Sequence, residues 1–295
     1  MALEFYFNLE KAAIFQAVKW ERNLFFRFAG ALKKLFLLFF IFIFLIFLYG
    51  FLSENFSQDL NQRLFGSSII FLVLAVTFWI KESFLNSKLK QPKLKIELKE
   101  ATLKPEEYNL AEFLSFEVAK ATFKSIKFAK SKRLFQIDSS ILFYFLLKDN
   151  PKLNFIFSRA LLSLREIQKI LVEIFKTLKR EKFQEIFADD FQNSILDSLQ
   201  IAQKRGHQRI EIGDIICVLA KHDLIFKKIL INSKLKSEDI ENLTWWLEDL
   251  EEKIAEGKRF WEWKNLIKRG SLAKEWAAGF TITLDRFSID LSERN

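Results

Sequence analysis

One short stretch concentrates the side chains best able to do chemistry. KRGHQRIEIGDIICVLA, Lys204 to Ala220, holds His207, Asp214 and Cys217, the one cysteine of the chain; His222, the second of two histidines, follows directly. Imidazole, thiolate and carboxylate are zinc ligands, and a histidine beside a cysteine can make it a nucleophile. The spacing argues against both. Zinc sites favour tight pairs such as C-x2-C, whereas Cys217 lies ten positions after His207. Two histidines leave little room for a Ser/His/Asp arrangement, and no serine stands in a G-x-S-x-G turn. The carboxylate pairs Glu106-Glu107, Asp189-Asp190 and Glu251-Glu252 point about 100° apart on a helix, and read as caps and solvated faces. A phosphate-cradling Walker A loop needs two glycines five positions apart, and none of the eight glycines has such a partner. No catalytic residue, metal or cofactor is expected.

The stretch makes more sense as part of a repeat. The shift that carries Ala129 onto Ala202 also carries Ile137 onto Ile210, and Leu142 and Leu146 onto Ile215 and Leu219. Further on, at the same shift, Ile156 and Phe157 meet Ile229 and Leu230, and Leu162, Ile167 and Ile170 meet Leu235, Ile240 and Leu243. Each unit, 112–176 and 187–250, reads as four helices from the spacing of its apolar residues. Ser139 and Asp189 or Asp190 are the expected helix caps, Ser163 with Glu166 a capping box, and Gly206 a left-handed helix end. At this shift His207 corresponds to Leu134, Cys217 to Tyr144 and His222 to Asp149, so the fold requires neither imidazole nor thiol there. Cys217 is expected to be packed in the second helix.

Two such helical repeats, each with A-x7-I followed by an apolar helix, resemble the N-terminal domain of the Clp unfoldases, the ClpC, ClpA and ClpB group. AQKRGHQRIEIGDIICVLA is similar to that family's block of Ala, a Gly-His pair, Ile and a Leu-rich helix. GFTITLDRFSIDLSE, Gly279 to Glu293, is similar to the connector that leads from this domain to the first ATPase module. The resemblance covers about 111–252 and 279–293. It implies an all-α, pseudo-twofold domain of two four-helix repeats that binds protein substrates or adaptors, with an AAA+ ATPase as a further partner. In ClpC-like members an I-G-T-E-H block in each repeat uses its Glu to recognise positively charged or arginine-phosphate groups. The matching segments are Ile137-Asp138-Ser139-Ser140-Ile141 and Ile210-Glu211-Ile212-Gly213-Asp214, where Ser140 and Gly213 take the Glu position. A general peptide or adaptor surface is therefore expected at these turns, with Ile137, Ser139, Ser140, Ile210, Gly213 and Asp214 as candidate contacts.

Upstream the chain changes character. LFLLFFIFIFLIFLYGFL, Leu35 to Leu52, and LFGSSIIFLVLAVTFWI, Leu64 to Ile80, carry no charged side chain. At about 1.5 Å per residue the first rises roughly 27 Å, close to the hydrocarbon thickness of a bilayer. Lys11, Lys19, Arg22, Arg27, Lys33 and Lys34 precede the first, and Lys81, Lys88, Lys90, Lys93, Lys95 and Lys99 follow the second. The loop between has Arg63 alone as a basic residue, so both termini are expected in the cytoplasm of an inner-membrane, multi-pass protein.

The full expectation is an amphipathic segment over 1–31, a transmembrane hairpin over 32–81, a basic juxtamembrane linker over 82–110, the double repeat over 111–252, and a Trp-rich connector over 253–295 toward an ATPase module that lies outside this chain. Residues 1–31 should pack on the bilayer interface, on the spans or on the soluble domain. Leu94, Ile96 and Leu98 alternate with charges like a short strand, with Phe280, Ile282 and Leu284 as its candidate partner. The net charge of +9 suits nucleic acid, anionic lipid or acidic proteins. Much of that excess flanks the membrane segments, so nucleic acid is not expected. Trp245, Trp246, Trp261 and Trp263 share their segment with five acidic residues between Glu248 and Glu256, which would repel phosphate.

Overall fold

The computed structural model describes residues 5–53, 56–178 and 183–258. The connector-like segment 279–293, the strand candidate 280–284, Trp261 and Trp263 lie outside the described residues. The chain divides into two compact units, Met1–Thr244 and Trp245–Asn295. Among the described residues of the second unit, Trp245 and Trp246 are exposed and Lys253 pairs with Asp249 at 2.6 Å.

The described residues are predominantly helical. Two short helices, α1 (Ile14–Glu21) and α2 (Leu24–Arg27), precede two long ones, α3 (Ala29–Ser53) and α4 (Gln58–Phe84). The α3 and α4 helices run antiparallel, because Phe36 meets Phe78 at 5.6 Å near one end and Phe47 meets Phe65 at 5.1 Å toward the other. They are longer than their apolar stretches, since Lys33 and Glu82 pair at 2.6 Å at the foot of the hairpin and carry both helices past the uncharged runs. Both are long and apolar enough to cross a membrane, with mean hydropathies of 3.0 and 2.0 in their most apolar windows. Only 6% and 11% of those windows are buried.

The α4 helix runs into a π-helical turn, Leu85–Leu89, and α5 (Leu98–Leu103) follows. No strand forms over 94–98: Leu98 instead opens α5, which packs on α10 (Asp189–Lys204), and Leu98 and Ala101 are buried. Arg209 anchors the same connector by donating to the carbonyl of Pro92 at 2.5 Å and to those of Glu112 and Leu114 at 2.8 and 3.1 Å. The segment before α3 also packs on the elements that follow α5. Asn8 and Asn109 exchange two 2.8 Å hydrogen bonds, Phe15 meets Phe123 edge-on, and Glu21 pairs with Lys120.

The remaining elements are α6 (Phe116–Lys132), β1 (Gln136–Ile137), α7 (Ser139–Asp149), α8 (Pro151–Arg159), α9 (Leu164–Thr177), β2 (Ile186–Phe187), α10, α11 (Ile212–His222), α12 (Leu224–Asn232) and α13 (Ser237–Lys258). The shift that takes Ala129 to Ala202 carries α7 and α8 onto the bounds of α11 and α12, and the first residues of α6 and α9 onto those of α10 and α13. The backbone follows the same interval. Left-handed residues occur at Arg133 (φ 55°) and Gly206 (φ 75°), and at Leu161 (φ 56°) and Lys234 (φ 57°). Leu134 N–H returns to the Ala129 carbonyl and His207 N–H to the Ala202 carbonyl, each at 2.9 Å.

The two halves are crossed. Ile137 pairs in parallel with Phe187, and Ile210 forms a parallel bridge with Leu114. Ile137 stands to Ile210 as Leu114 stands to Phe187, at the one repeat interval, so each half supplies one segment that pairs with the other. Ser115 N–H donates to the Ile210 carbonyl at 3.0 Å, and Ala188 N–H to the Ile137 carbonyl at 3.1 Å. Between the halves Phe143 stacks on Phe226 at 4.3 Å, with Phe157 5.6 Å from Phe226, all three fully buried. Each such ring is worth roughly 1.5–3 kcal/mol on leaving water.

Three caps differ from expectation. Asp138 rather than Ser139 is the N-cap of α7, and Ala188 that of α10, with Asp189 and Asp190 in its first turn. Ser163 caps α9 by accepting from Glu166 N–H, but the reciprocal capping box is at Glu211 and Asp214 on α11. The proximity of acidic groups to the first turn is favourable at any of these positions, so composition alone does not fix which residue leaves the helix.

The two left-handed helix ends give a matched pair of tests. A side chain in that conformation costs about 1–2 kcal/mol relative to glycine, and a Cβ at Gly206 would meet nothing within 4 Å. Arg133→Gly should raise stability by about 1 kcal/mol and Gly206→Ala should lower it by about the same amount, measured by denaturant unfolding in detergent.

Candidate functional site

The candidate contacts sit at the two turns that the crossed strands create. Ile137, Ser139, Ile210 and Asp214 are buried there, and Ser140 and Gly213 are half-buried. Ile210 fills its turn: its N–H donates to Phe113 at 2.7 Å and its carbonyl accepts from Ser115. Of these six, Ser140 and Gly213 are the two open to a partner approaching either turn, while the other four support the turn from inside.

Beneath the first turn lies an acidic cluster that joins both halves. Ser139 Oγ is 2.5 Å from Asp190 Oδ2 and 2.7 Å from Asp223 Oδ2, and Ser140 donates to that same Asp223 oxygen at 2.6 Å. The backbone contributes as well, Ser139 N–H to Asp190 and Phe226 N–H to Asp223. A hydroxyl has one proton to donate, so Ser139 can donate to only one of the two carboxyl groups at a time. Burial raises the Asp223 pKa, against the hydrogen bonds from Ser140, Phe226 N–H and Ser139. Asp138 stands beside them. Burial, and then the charge of Asp190, push it up to about 6, and its buried Oδ1 has no hydrogen-bond partner among the described residues.

The second turn carries the residues of the opening stretch. Asp214 is fully buried; it accepts from Glu211 N–H at 2.9 Å, meets His207 Nδ1 at 2.9 Å, and faces the buried Arg205 guanidinium at 3.4 Å. Glu211 is exposed along part of its side chain, and desolvation of its carboxyl raises its pKa. Cys217 is packed in α11 as expected, its Sγ 3.0 Å from Thr244 Oγ1 and 3.3 Å from Arg205 Nη2. Burial raises its thiol pKa, which leaves little thiolate and opposes nucleophilic use. His222 pairs elsewhere, with Asp197 at 2.6 Å. The reactive types of this stretch therefore hold a turn together: Arg205, His207, Glu211 and Asp214 lock the start of α11. Sequence reasoning missed Arg205, Arg209 and the Asp190–Ser139–Asp223 bridge. Their partners are 9 to 117 positions away along the chain, and no local pattern encodes them.

The raised carboxyls fix the sign of a pH effect. Asp138 has a folded pKa of about 6 against 3.8 for the free group, so between these values the folded protein holds more protons than the unfolded chain. Its contribution is most favourable below about pH 4, and stability is lost as pH rises through 6. Asp138→Asn should gain stability relative to wild type as pH goes from 4 to 7, the difference levelling off above about 7. Denaturant unfolding in detergent at a series of pH values would measure it.

No protein-family model and no curated protein matches this chain. Among solved structures it is similar to the N-terminal domain, residues 1–163, of the ClpV1 ATPase from the E. coli EAEC Sci1 type VI secretion system, at 15% identity over 48% of this chain and 88% of that one, with a TM-score of 0.42. It is also similar to the N-domain of ClpV from Vibrio cholerae, at 13% identity over 55% and 95% with a TM-score of 0.39. A third is the Hsp104 N-terminal domain from Candida albicans, at 12% identity over 42% and 84% with a TM-score of 0.38.

Proposed function

We propose that this chain is a membrane-tethered, non-catalytic module of a Clp-type chaperone or protease system. Its domain, residues 111–252, is a Clp N-type double repeat that faces the cytoplasm and binds protein substrates or adaptors. The observation that carries the reading is the crossed pairing of Leu114 with Ile210 and Phe187 with Ile137 at the interval at which the A-x7-I blocks recur. The α3–α4 hairpin is the tether: its helices expose apolar side chains such as Leu38, Phe42, Ile70 and Val73 along their length, which favours lipid around them. Basic residues at the hairpin's foot support a cytoplasmic location for both ends. On the domain, Leu161, Leu224 and Ile231 are 93%, 71% and 63% exposed and offer apolar contact points for a client chain.

A second reading keeps the fold and makes the chain the regulatory part of a membrane-bound, ATP-dependent unfoldase. The connector-like segment Gly279 to Glu293 favours it. An in-frame Walker A coding sequence just downstream would support it, and an unrelated gene there would oppose it.

The main reading is tested by cross-linking the full chain in native membranes and identifying what is captured. Clp ATPases, their adaptors or unfolded clients are expected, and Leu161→Ser/Leu224→Ser/Ile231→Ser should reduce their capture severalfold while leaving the fold intact. Capture of none of these would overturn it.

A further inference from the structure

A cleft of about 650 Å³ opens at the foot of the α3–α4 hairpin, between α1, α2, the end of α4 and α6. That volume lies within the roughly 300–1,000 Å³ usual for small-ligand sites. Its charges do not balance. Each of its three acidic residues already has a lysine partner: Glu21 has Lys120 at 2.6 Å, Glu82 has Lys33 at 2.6 Å, and Asp149 has Lys124 at 2.7 Å. Arg22, Arg27 and Lys90 line the same cleft, and among the described residues none of them has a carboxylate within ion-pair distance. They are nonetheless held in place. Arg22 lies over the Phe123 ring at 5.3 Å and Lys90 over the Phe116 ring at 4.7 Å, which holds both cations against α6. Two guanidiniums and an ammonium around a polar hollow suit the oxygens of a phosphate, which guanidinium binds in fork geometry.

The position of the cleft identifies the phosphate. Gly30, in the first turn of α3, and Glu82 and Leu85, at the end of α4, are part of its wall, so it opens where the apolar helices begin and end. Phe26 and Leu85 give that wall an apolar side. We propose that this cleft binds the phosphate headgroup of an anionic phospholipid of the cytoplasmic leaflet, and so clamps the soluble domain to the foot of the hairpin. The proposal rests on the membrane reading of α3 and α4. The chemistry is specific to the cleft and separate from diffuse attraction of the exposed linker lysines to an anionic surface.

The test uses the full chain in nanodiscs of phosphatidylcholine with or without phosphatidylglycerol, followed by mild release and native mass spectrometry of the lipids that stay bound. Retention of phosphatidylglycerol over phosphatidylcholine is expected, with a loss of about tenfold or more in Arg22→Gln/Arg27→Gln/Lys90→Gln. Two controls separate the cleft from other causes. Arg22→Lys/Arg27→Lys/Lys90→Arg, which keeps the charge but gives up the two guanidinium forks, should retain more lipid than the neutral variant and less than wild type. Lys88→Gln/Lys93→Gln/Lys95→Gln, which removes as much charge from the exposed linker, should also retain it. Equal losses in the linker variant and the cleft variant would overturn the proposal, as would bilayer insertion without lipid preference, a result that leaves the membrane reading standing. Competition of glycerol phosphate with equal potency in lipid-free detergent would assign the cleft to a soluble phosphate ester and overturn the lipid. A chain extracted from membranes by alkaline carbonate would remove the membrane reading and the proposal with it.

Discussion

Each half of the helical domain lends the other one short segment. Leu114 pairs with Ile210 and Phe187 with Ile137, and the N–H groups of Ser115, Ala188 and Ile210 are satisfied across the divide. Neither half could bury these turns alone, because each would be left with backbone donors unpaired, at roughly 1–3 kcal/mol apiece. The rest of the domain depends on this exchange. It places Ser139 against Asp190 and Asp223 from the other half, it brings Phe143 onto Phe226, and it sets Arg209 where it can reach Pro92 in the connector.

The same constraint explains why the two turns differ in chemistry while sharing a backbone. Both follow a left-handed residue, both insert a buried isoleucine, and both start a helix of identical length. Under the first turn carboxyl groups gather around a serine, and burial raises the pKa values of Asp138 and Asp223. Under the second a buried arginine compensates the carboxylate of Asp214. One backbone turn can hold different polar fillings, provided that each filling satisfies its own buried charges.

Much of the architecture was legible in the sequence, because the features that encode it are local. The uncharged runs at 35–52 and 64–80 mark α3 and α4, the apolar spacing marks α6 to α13, and Gly206 marks a helix end. The candidate turns were also legible as turns, since Ile137 and Ile210 stand at fixed distances after Ala129 and Ala202. Their accessibility was not. Burial of Ile137, Ser139, Ile210 and Asp214 depends on segments supplied by the other half, and a pattern within one half says nothing about what covers it. The fate of residues 94–98 has the same origin: their alternation resembles a strand, but α10 offers an apolar face and no free edge, so Leu98 is buried by opening a helix. The N-terminal segment is similar, its aromatic residues finding Phe123, Phe187 and Phe191 far along the chain.

Crossed strands of this kind should make the two halves one cooperative unit. Native-state hydrogen exchange of the full chain in detergent tests that claim most directly, read at the amides of Ser115, Ala188 and Ile210. All three are predicted to exchange through the same global opening, with equal free energies and equal sensitivity to denaturant. Exchange of Ala188 through a smaller opening that leaves Ser115 and Ile210 protected, or the reverse, would contradict it.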